Sequence, residues 1–464
     1  MLEILRTNPG ALKEDLQRRG MDPAVVDEIV DLDRRWREAK FKLDELRRYR
    51  NEITARIARA QSDEKEALLS EAKRAAQEVK SLEAEYSRLT KLRMEALWKL
   101  PAAPLHPEVP TCPEGEEGVP IRFWGKPMVW KGHLEQFRRE TERWGFRVDC
   151  EVIDWRPRGH ADEAEKVLGL GDTKRAAKVS GARFYYLYED LVWLDIALML
   201  FAVDRLTAKG FRLVIPPYMM RGELYRGVTP LEDFIDAIYK VEGEDLFLIS
   251  TSEHPLVAQH AREEIQDASL PLLYVGVSPC FRKEAGAHGR DTKGIFRVHQ
   301  FHKVEQVVFS MPEESWEWHE RLIQNAEELW QALEIPYRIV DICATELGPQ
   351  AARKFDLEAW MPAQGRYREM VSCSNCLDWQ AFRLGIRYIR GDGTRGYVHT
   401  LNSTAIATTR AITAILENYQ RPDGAVEIPR VLRPYLEPFD RAPKEFILPA
   451  SERRGGSSRP DNAQ

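Results

Sequence analysis

The first hundred positions carry apolar side chains at a seven-residue spacing. Ile29, Trp36, Leu43 and Ile57 take one position of the repeat, and Leu32, Ala39, Leu46 and Ile53 take another, with Arg50 interrupting the first series. The pattern stops over the polar residues 61–65 and then resumes. Leu68, Ala75, Leu82, Leu89 and Ala96 now alternate with Ala72, Val79, Tyr86 and Arg93. Two such seams joined by a short polar turn predict an antiparallel coiled-coil hairpin over residues 27–100. No Pro or Gly lies between Val25 and Leu100, as unbroken helices require. At 1.5 Å per residue, helices of about 30 residues make a rod about 45 Å long.

Pro101, Pro104, Pro107 and Pro110 end the helical pattern and predict a stiff connector. Beyond Pro120 the period changes. Short β-branched and aromatic runs at 184–187, 213–215, 246–249, 272–277, 298–309 and 397–401 alternate with helical segments. This is the texture of an α+β domain built on a mostly antiparallel sheet flanked by helices. The expected division is an N-terminal domain at 1–110 carrying the arm, a second domain at 111–450, and a disordered tail at 451–464 with few apolar residues.

Composition changes this picture little. With 43% hydrophobic and 31% charged residues among 464, the chain reads as soluble and globular, not collagenous, wholly disordered or a disulfide scaffold. A net charge of −6 argues against a general polyanion binder. Residues 34–59, however, hold ten Lys/Arg against four Asp/Glu, which puts a basic surplus on the arm. Six cysteines are too few for a disulfide framework, so a reducing compartment is expected. The N-terminal residues lack the apolar core of a signal peptide. The most apolar stretch, 193–203, contains Asp195 and is too short to span a bilayer. A cytoplasmic protein without membrane contact is therefore expected.

Nucleotide signatures of the common kinds are missing. There is no GxxxxGK[ST] loop, no GxGxxG after a strand, and neither the HIGH nor the KMSKS signal of Rossmann-type aminoacyl-tRNA synthetases. Any nucleotide must be held by side chains on a sheet. The residues for that lie at 280–309, which read as strand, Gly-rich loop and strand. Side chains two apart share a face, so Arg282 pairs with Glu284, and Arg297, Phe301 and Glu305 form a second file. Thr251 with Glu253, and Asn402 with Thr404, repeat the spacing. A solvated sheet face would also carry charge. Arginines, an aromatic ring and carboxylates on one face are equally what would clamp phosphates, stack a base and hold an ammonium. Residues 400–420 read as a strand entering an amphipathic helix with Arg410 in its early turns, either a surface arginine or a phosphate ligand. Cys373 and Cys376 have the spacing of half a zinc site, but no second pair accompanies them. Reduced structural thiols, with no structural zinc, are expected there.

Several stretches together resemble class II aminoacyl-tRNA synthetases and, within them, the seryl-tRNA synthetase family. They are FRKEAGAHGRDTKGIFRVHQFHKVE for motif 2, STSEHPL for a serine-pocket strand, SCSNCLDWQAFR with HTLNSTAIATTRAITAILENYQ around motif 3, and the weaker DIALMLFAVDRLTAKGFRLVIPPYM for motif 1. The match runs from about Met1 to Tyr435, and TSEH and LNSTA look most like the archaeal branch of the standard form. Two departures stand out: Val371 replaces a usual serine, and Ala102 a usual asparagine.

The resemblance implies a ligase that activates L-serine with ATP and Mg2+ and transfers it to tRNA(Ser), leaving tRNA(Sec) open as a second substrate. It assigns Arg282 and Arg410 as the catalytic pair across the α-phosphate, with Arg282 also on the serine carboxylate. Arg282, Lys283, Glu284, Arg297, Val298, Phe301, Glu369, Ser372 and Arg410 would contact ATP, with Phe301 stacked on adenine and Glu369 holding the magnesium ion. Thr251, Ser252, Glu253, Arg282, Glu305, Asn402 and Thr404 would line the serine pocket. The coiled-coil arm would bind tRNA, and motif 1 would form a homodimer. Three other readings compete: an inactive paralogue, which the intact Arg282, Glu305, Glu369 and Arg410 oppose; a carrier-protein ligase, which would lack the arm; and a coiled-coil scaffold with an inert body.

Overall fold

The computed structural model describes residues 2–231, 235–284, 291 and 293–453, which form two compact units at 1–105 and 106–464. The Gly-rich loop at 285–290, residue 292 and the tail after Arg453 lie outside the described residues. Elements are numbered in chain order as they are introduced.

In the first unit, α1 (Ala24–Ile57) and α2 (Ser62–Leu97) pack against each other along the two seven-residue seams. Ile29, Ala39, Leu43 and Ile53 are buried from one side and Leu68, Ala75, Val79 and Leu89 from the other. A polar lock sits at the base of the seam. Asp33, with a side chain 2% exposed, accepts from Arg93 Nε at 2.7 Å, from Arg6 Nε at 2.8 Å and from Arg37 Nε at 3.1 Å. Burial alone would raise the Asp33 pKa, but Arg6 and Arg93 bring it down to about 2. The Arg93 guanidinium also lies 4.5 Å from the Trp36 ring, whose indole donates to Thr90 at 2.9 Å.

The second unit is built on a sheet of eight strands: β1 (Gly118–Trp124), β2 (Arg212–Val214), β3 (Leu272–Phe281), β4 (Gln300–Ser310), β5 (Tyr337–Ile342), β6 (Arg353–Met361), β7 (Arg366–Asn375) and β8 (His399–Ala407). Their spatial order is β1-β5-β6-β7-β8-β4-β3-β2, and every pair is antiparallel except β3 with β2. One face is covered by α3 (Asp190–Thr207), α5 (Ser315–Ala332) and α7 (Thr408–Asn418) over a core containing Phe201, Val304, Trp330, Phe355, Leu357, Ile406 and Ile412. α4 (Glu253–Ala258) and α6 (Trp379–Leu384) belong to a second core with Tyr225, Phe247, Val307 and Phe309. The alternation along β4 explains the division: Val304 and Val308 enter the first core, while Val307 and Phe309 enter the second.

Three expectations are corrected. The stretch Thr251–Ser252–Glu253 is not a strand. The Thr251 hydroxyl accepts from the Glu253 amide at 3.2 Å, and α4 begins there. Pro255 is tolerated because it falls in the first turn, where an amide has no helical partner. Arg297 is not on the face of β4, which starts only at Gln300. Its guanidinium pairs instead with Glu284 at 2.9 Å. The cysteines are not all reduced: Cys112 and Cys343 form a disulfide with Cα atoms 5.8 Å apart. Strand pairing brings them together, since Gly118 on β1 stands opposite Ile342 at the end of β5. Cys373 and Cys376 are free thiols, and burial pushes both upward in pKa. Among the described residues no helix is long and apolar enough to cross a membrane.

Candidate active site

A cavity of about 260 Å³ opens on the sheet face opposite α5. Thr251, Glu253, Arg282, Phe301, Glu305, Glu369, Ser372, Asn402, Thr404 and Arg410 line it, bringing together residues up to 159 positions apart (410 − 251). Ser252, Lys283, Glu284, Arg297 and Val298 do not line it. Ser252 is buried beneath, beside Gly276, and Val298 belongs to the first core. The Lys283 ammonium lies 5.7 Å from the Tyr239 ring, and Glu284 is held by Arg297.

The register of the strands accounts for the lining. Gly276 faces Glu305, Ser278 faces Lys303 and Cys280 faces Phe301 across β3 and β4. Phe301, Lys303 and Glu305 therefore form one file. Gly276 has a packing reason: a Cβ there would come within 2.6 Å of the Leu256 side chain and 2.9 Å of the Ser252 hydroxyl, which would have to move. Its absence lets α4 lie directly on β3 and brings Glu253 to the site. Arg282 follows β3, its amide donating to His299 O at 2.9 Å and its Nε to Ser250 O at 3.4 Å. The guanidinium lies 5.3 Å from the Phe301 ring.

Two irregularities in the ladders build the rest. The register of β6 with β7 pairs Leu357 with Val371 but Glu358 with Glu369, which leaves Met370 as an extra residue. This β-bulge turns Glu369 and Ser372 to the same cavity although they are three apart. The pairing of β4 with β8 shifts likewise between Val304 and Glu305 and leaves Ala405 extra, so Thr404 and Ala407 both reach the site. Arg410, in the first turn of α7, donates to Glu369 O at 2.9 Å and pairs with its carboxylate at 3.2 Å.

The electrostatics are those of a site prepared for charged ligands. Burial disfavours the Glu369 carboxylate, but Arg410, Lys354 and Arg282 outweigh it and hold its pKa well below the ordinary value. Glu253 goes the other way: burial and the nearby Glu305 raise it to about 7. Lys303 pairs with Glu305 at 2.5 Å, and the Thr404 hydroxyl donates to the same carboxylate at 3.4 Å. Lys303, Lys354, Gln350 and Ser374 line the cavity without having been singled out in the sequence. Period-two reading was the available signal: Lys303 lies between Phe301 and Glu305, and Lys354, Asp356 and Glu358 alternate with Phe355, Leu357 and Ala359.

Arg282 and Arg410 share a cavity over an antiparallel sheet with Phe301 of β4 and the ionised Glu369 of β7, and similarity to known proteins makes the chain a class II aminoacyl-tRNA synthetase. Residues 238–419 match the tRNA synthetase class II core domain (G, H, P, S and T), and residues 1–104 match the seryl-tRNA synthetase N-terminal domain. The chain is 57% identical to a serine--tRNA ligase of Hyperthermus butylicus over 98% of its length and 99% of that protein's. It is 59% identical to a serine--tRNA ligase of Aeropyrum pernix over 97% and 98% of the two chains. Among solved structures it is similar to seryl-tRNA synthetase from Pyrococcus horikoshii complexed with ATP, with a TM-score of 0.89 and 53% identity over 97% of this chain and 99% of that one. It is also similar to the cytoplasmic serine-tRNA ligase of Naegleria fowleri in complex with AMP, with a TM-score of 0.81 and 35% identity over the same shares. The chain belongs to the seryl-tRNA synthetase family.

Proposed function

We propose that the cavity joins L-serine to ATP, releasing pyrophosphate, and then passes the seryl group to the terminal ribose of tRNA(Ser). The observation that carries this reading is the gathering of Arg282, Arg410, Glu253, Glu305 and Glu369 in one cavity of a chain belonging to this family. A serine carboxylate is already ionised at neutral pH, so its attack on the α-phosphorus requires no general base. What limits the step is alignment of two anions, which Arg282 and Arg410 supply by neutralising the reacting groups. Neutral His254, whose pKa burial, Lys303 and Arg282 lower to about 3, and the protonated Cys376 fit a step that uses neither an imidazole base nor a thiolate nucleophile.

Phe301 and the backbone of Val298 are assigned to adenine, Glu284 to its edge and Lys283 to ATP. Arg297, now paired with Glu284, is assigned to the outer phosphates. Glu253, Glu305 and Thr251 are assigned to the ammonium, Asn402 and Thr404 to the serine hydroxyl, and Ser252 to support of that pocket. Ionised Glu369 with the Ser372 hydroxyl in the same cavity suits a magnesium ion arriving with ATP, which would offset phosphate charge. A pocket whose buried polar groups require a hydroxyl rejects alanine by about 10⁴.

The arm is assigned to tRNA by its basic segment at 34–59, and the reaction to the cytoplasm. A homodimer through α3 and β2 is supported by exposed apolar side chains there, including Leu200, Leu213 and Ile215, the last 72% exposed. ATP–pyrophosphate exchange measured with each amino acid in turn tests the reading. Serine alone should support exchange; exchange driven by another amino acid, or by none, would overturn it.

A further inference from the structure

Gln380 lies outside the cavity lining, in α6, and is fully buried. Its Nε2 donates to the Glu253 carboxylate at 2.8 Å and to Val228 O at 3.0 Å, while its Oε1 accepts from the Thr400 hydroxyl at 2.6 Å. That set fixes which way the amide points. A flipped amide would turn its oxygen toward two oxygens that can only accept, the Glu253 carboxylate and the Val228 carbonyl, whereas the Thr400 hydroxyl can serve either orientation. Thr400 stands on β8 two and four residues before Asn402 and Thr404, so one strand offers two side chains to the cavity and orients a third through Gln380.

We infer that Gln380 is a positioning residue for serine recognition, holding Glu253 aimed at the substrate ammonium and favouring its ionised form. The inference rests on the assignment of Glu253 to that ammonium. The groups facing Glu253 are few and can be weighed. Glu305 on β4 opposes its charge, Lys303 on β4 and Arg282 after β3 favour it, and the adjoining His254 and Cys376 are neutral. Burial and Glu305 prevail and leave the carboxylate titrating at about 7, so a single charge-assisted hydrogen bond decides how much of it is ionised at neutral pH. The Gln380 amide donates to it from a side chain that does not line the cavity.

The test is serine-dependent pyrophosphate exchange by the full-length chain from pH 6 to 9, with KM for serine and for ATP determined separately. Gln380→Met removes the donor at nearly constant volume. It should raise the serine KM about fivefold at pH 7, because a pKa moved up one unit from about 7 takes the ionised fraction from about a half to about a tenth. ATP KM should stay within twofold, and the defect should shrink as pH rises and Glu253 ionises without help. Gln380→Glu places a second acid against Glu253, and its defect should grow as pH rises and the proton shared between them is lost. Thr400→Val, which frees the amide without removing it, should give a smaller loss with the trend of Gln380→Met, and it serves if the methionine variant does not fold. A serine KM in Gln380→Met or Thr400→Val that matches wild type, that is raised equally at every pH, or that changes in step with ATP KM would overturn the inference. Wild-type chain without serine-dependent exchange would instead overturn the assignment on which it rests.

Discussion

Arg282 and Arg410 share the cavity but are held differently. Arg282 is braced by Ser250 O and lies by the Phe301 ring, whereas Arg410 is tied to Glu369 through both carbonyl and carboxylate. Arg282→Ala should therefore cost at least about 10² in the rate of adenylate formation, the usual effect of losing one preorganised charge donor. Pyrophosphate exchange measures it, and near-normal exchange would remove Arg282 from the reaction. Glu305→Gln keeps the shape of the pocket and removes its charge. Serine KM should rise by more than about tenfold while ATP KM changes little, because an ammonium is present on only one of the two substrates. The Glu253 pKa near 7 gives a pH dependence with a definite sign: the ionised form is lost as pH falls through about 7, so serine kcat/KM should decline toward pH 6 while ATP binding holds.

At the scale of elements, the sequence pattern is readable where periodicity is regular and fails where a ladder is interrupted. The seven-residue seam showed the hairpin, including Arg93 in a seam position, because the repeat recurs often enough to outlast single interruptions such as Arg50. It did not show why Arg93 is tolerated there: Asp33 lies off the apolar series and neutralises it. Phe301 and Glu305 were placed on a common face by alternation alone. Glu369 and Ser372 could not be, since odd spacing puts them on opposite faces until the bulge at Met370 reverses the parity. Only the family resemblance indicated them. The Arg297 expectation failed for the complementary reason, because alternation was extended beyond the residue where β4 begins. The Asp33 lock also makes a prediction. Replacing Asp33 with Asn leaves Arg93, 7% exposed, without its carboxylate and should cost about 3 kcal/mol, the low end for breaking a buried ion pair. Because the Asp33 pKa is depressed to about 2, its contribution is full above the unfolded carboxylate pKa and is lost as pH falls toward 2. Hydrogen exchange of α1 and α2 amides across that window should show opening in wild type and an acid-insensitive, weaker protection in Asp33→Asn.

For the whole molecule, the hairpin buries its own seam and the cavity is lined entirely by residues beyond position 250. Deleting residues 40–86 and closing the gap with a short Gly/Ser linker retains the Asp33–Arg93 pair. Serine-dependent exchange should persist within about tenfold, an allowance of about 1.4 kcal/mol. Charging of tRNA(Ser) should collapse, because most of the basic segment at 34–59 is gone and phosphate contacts dominate such binding. Full-rate charging by the shortened chain would leave the hairpin a structural rod. Assembly has its own test: Ile215→Glu places a charge on the exposed apolar surface next to β2, and sedimentation should show a dimer in wild type and a monomer in the variant.

The central claim is that one cavity receives serine and the α-phosphate of ATP together. A crystal structure of the full chain with a non-hydrolysable sulfamoyl analogue of seryl-adenylate tests it most directly. The sulfamoyl group should lie between the Arg282 and Arg410 guanidinium groups, the ammonium against Glu253 and Glu305, the serine hydroxyl at Thr404 or Asn402, and the adenine ring on Phe301. An analogue bound outside this cavity, or one inside it with adenine against Glu305 and the seryl group against Phe301, would contradict the account.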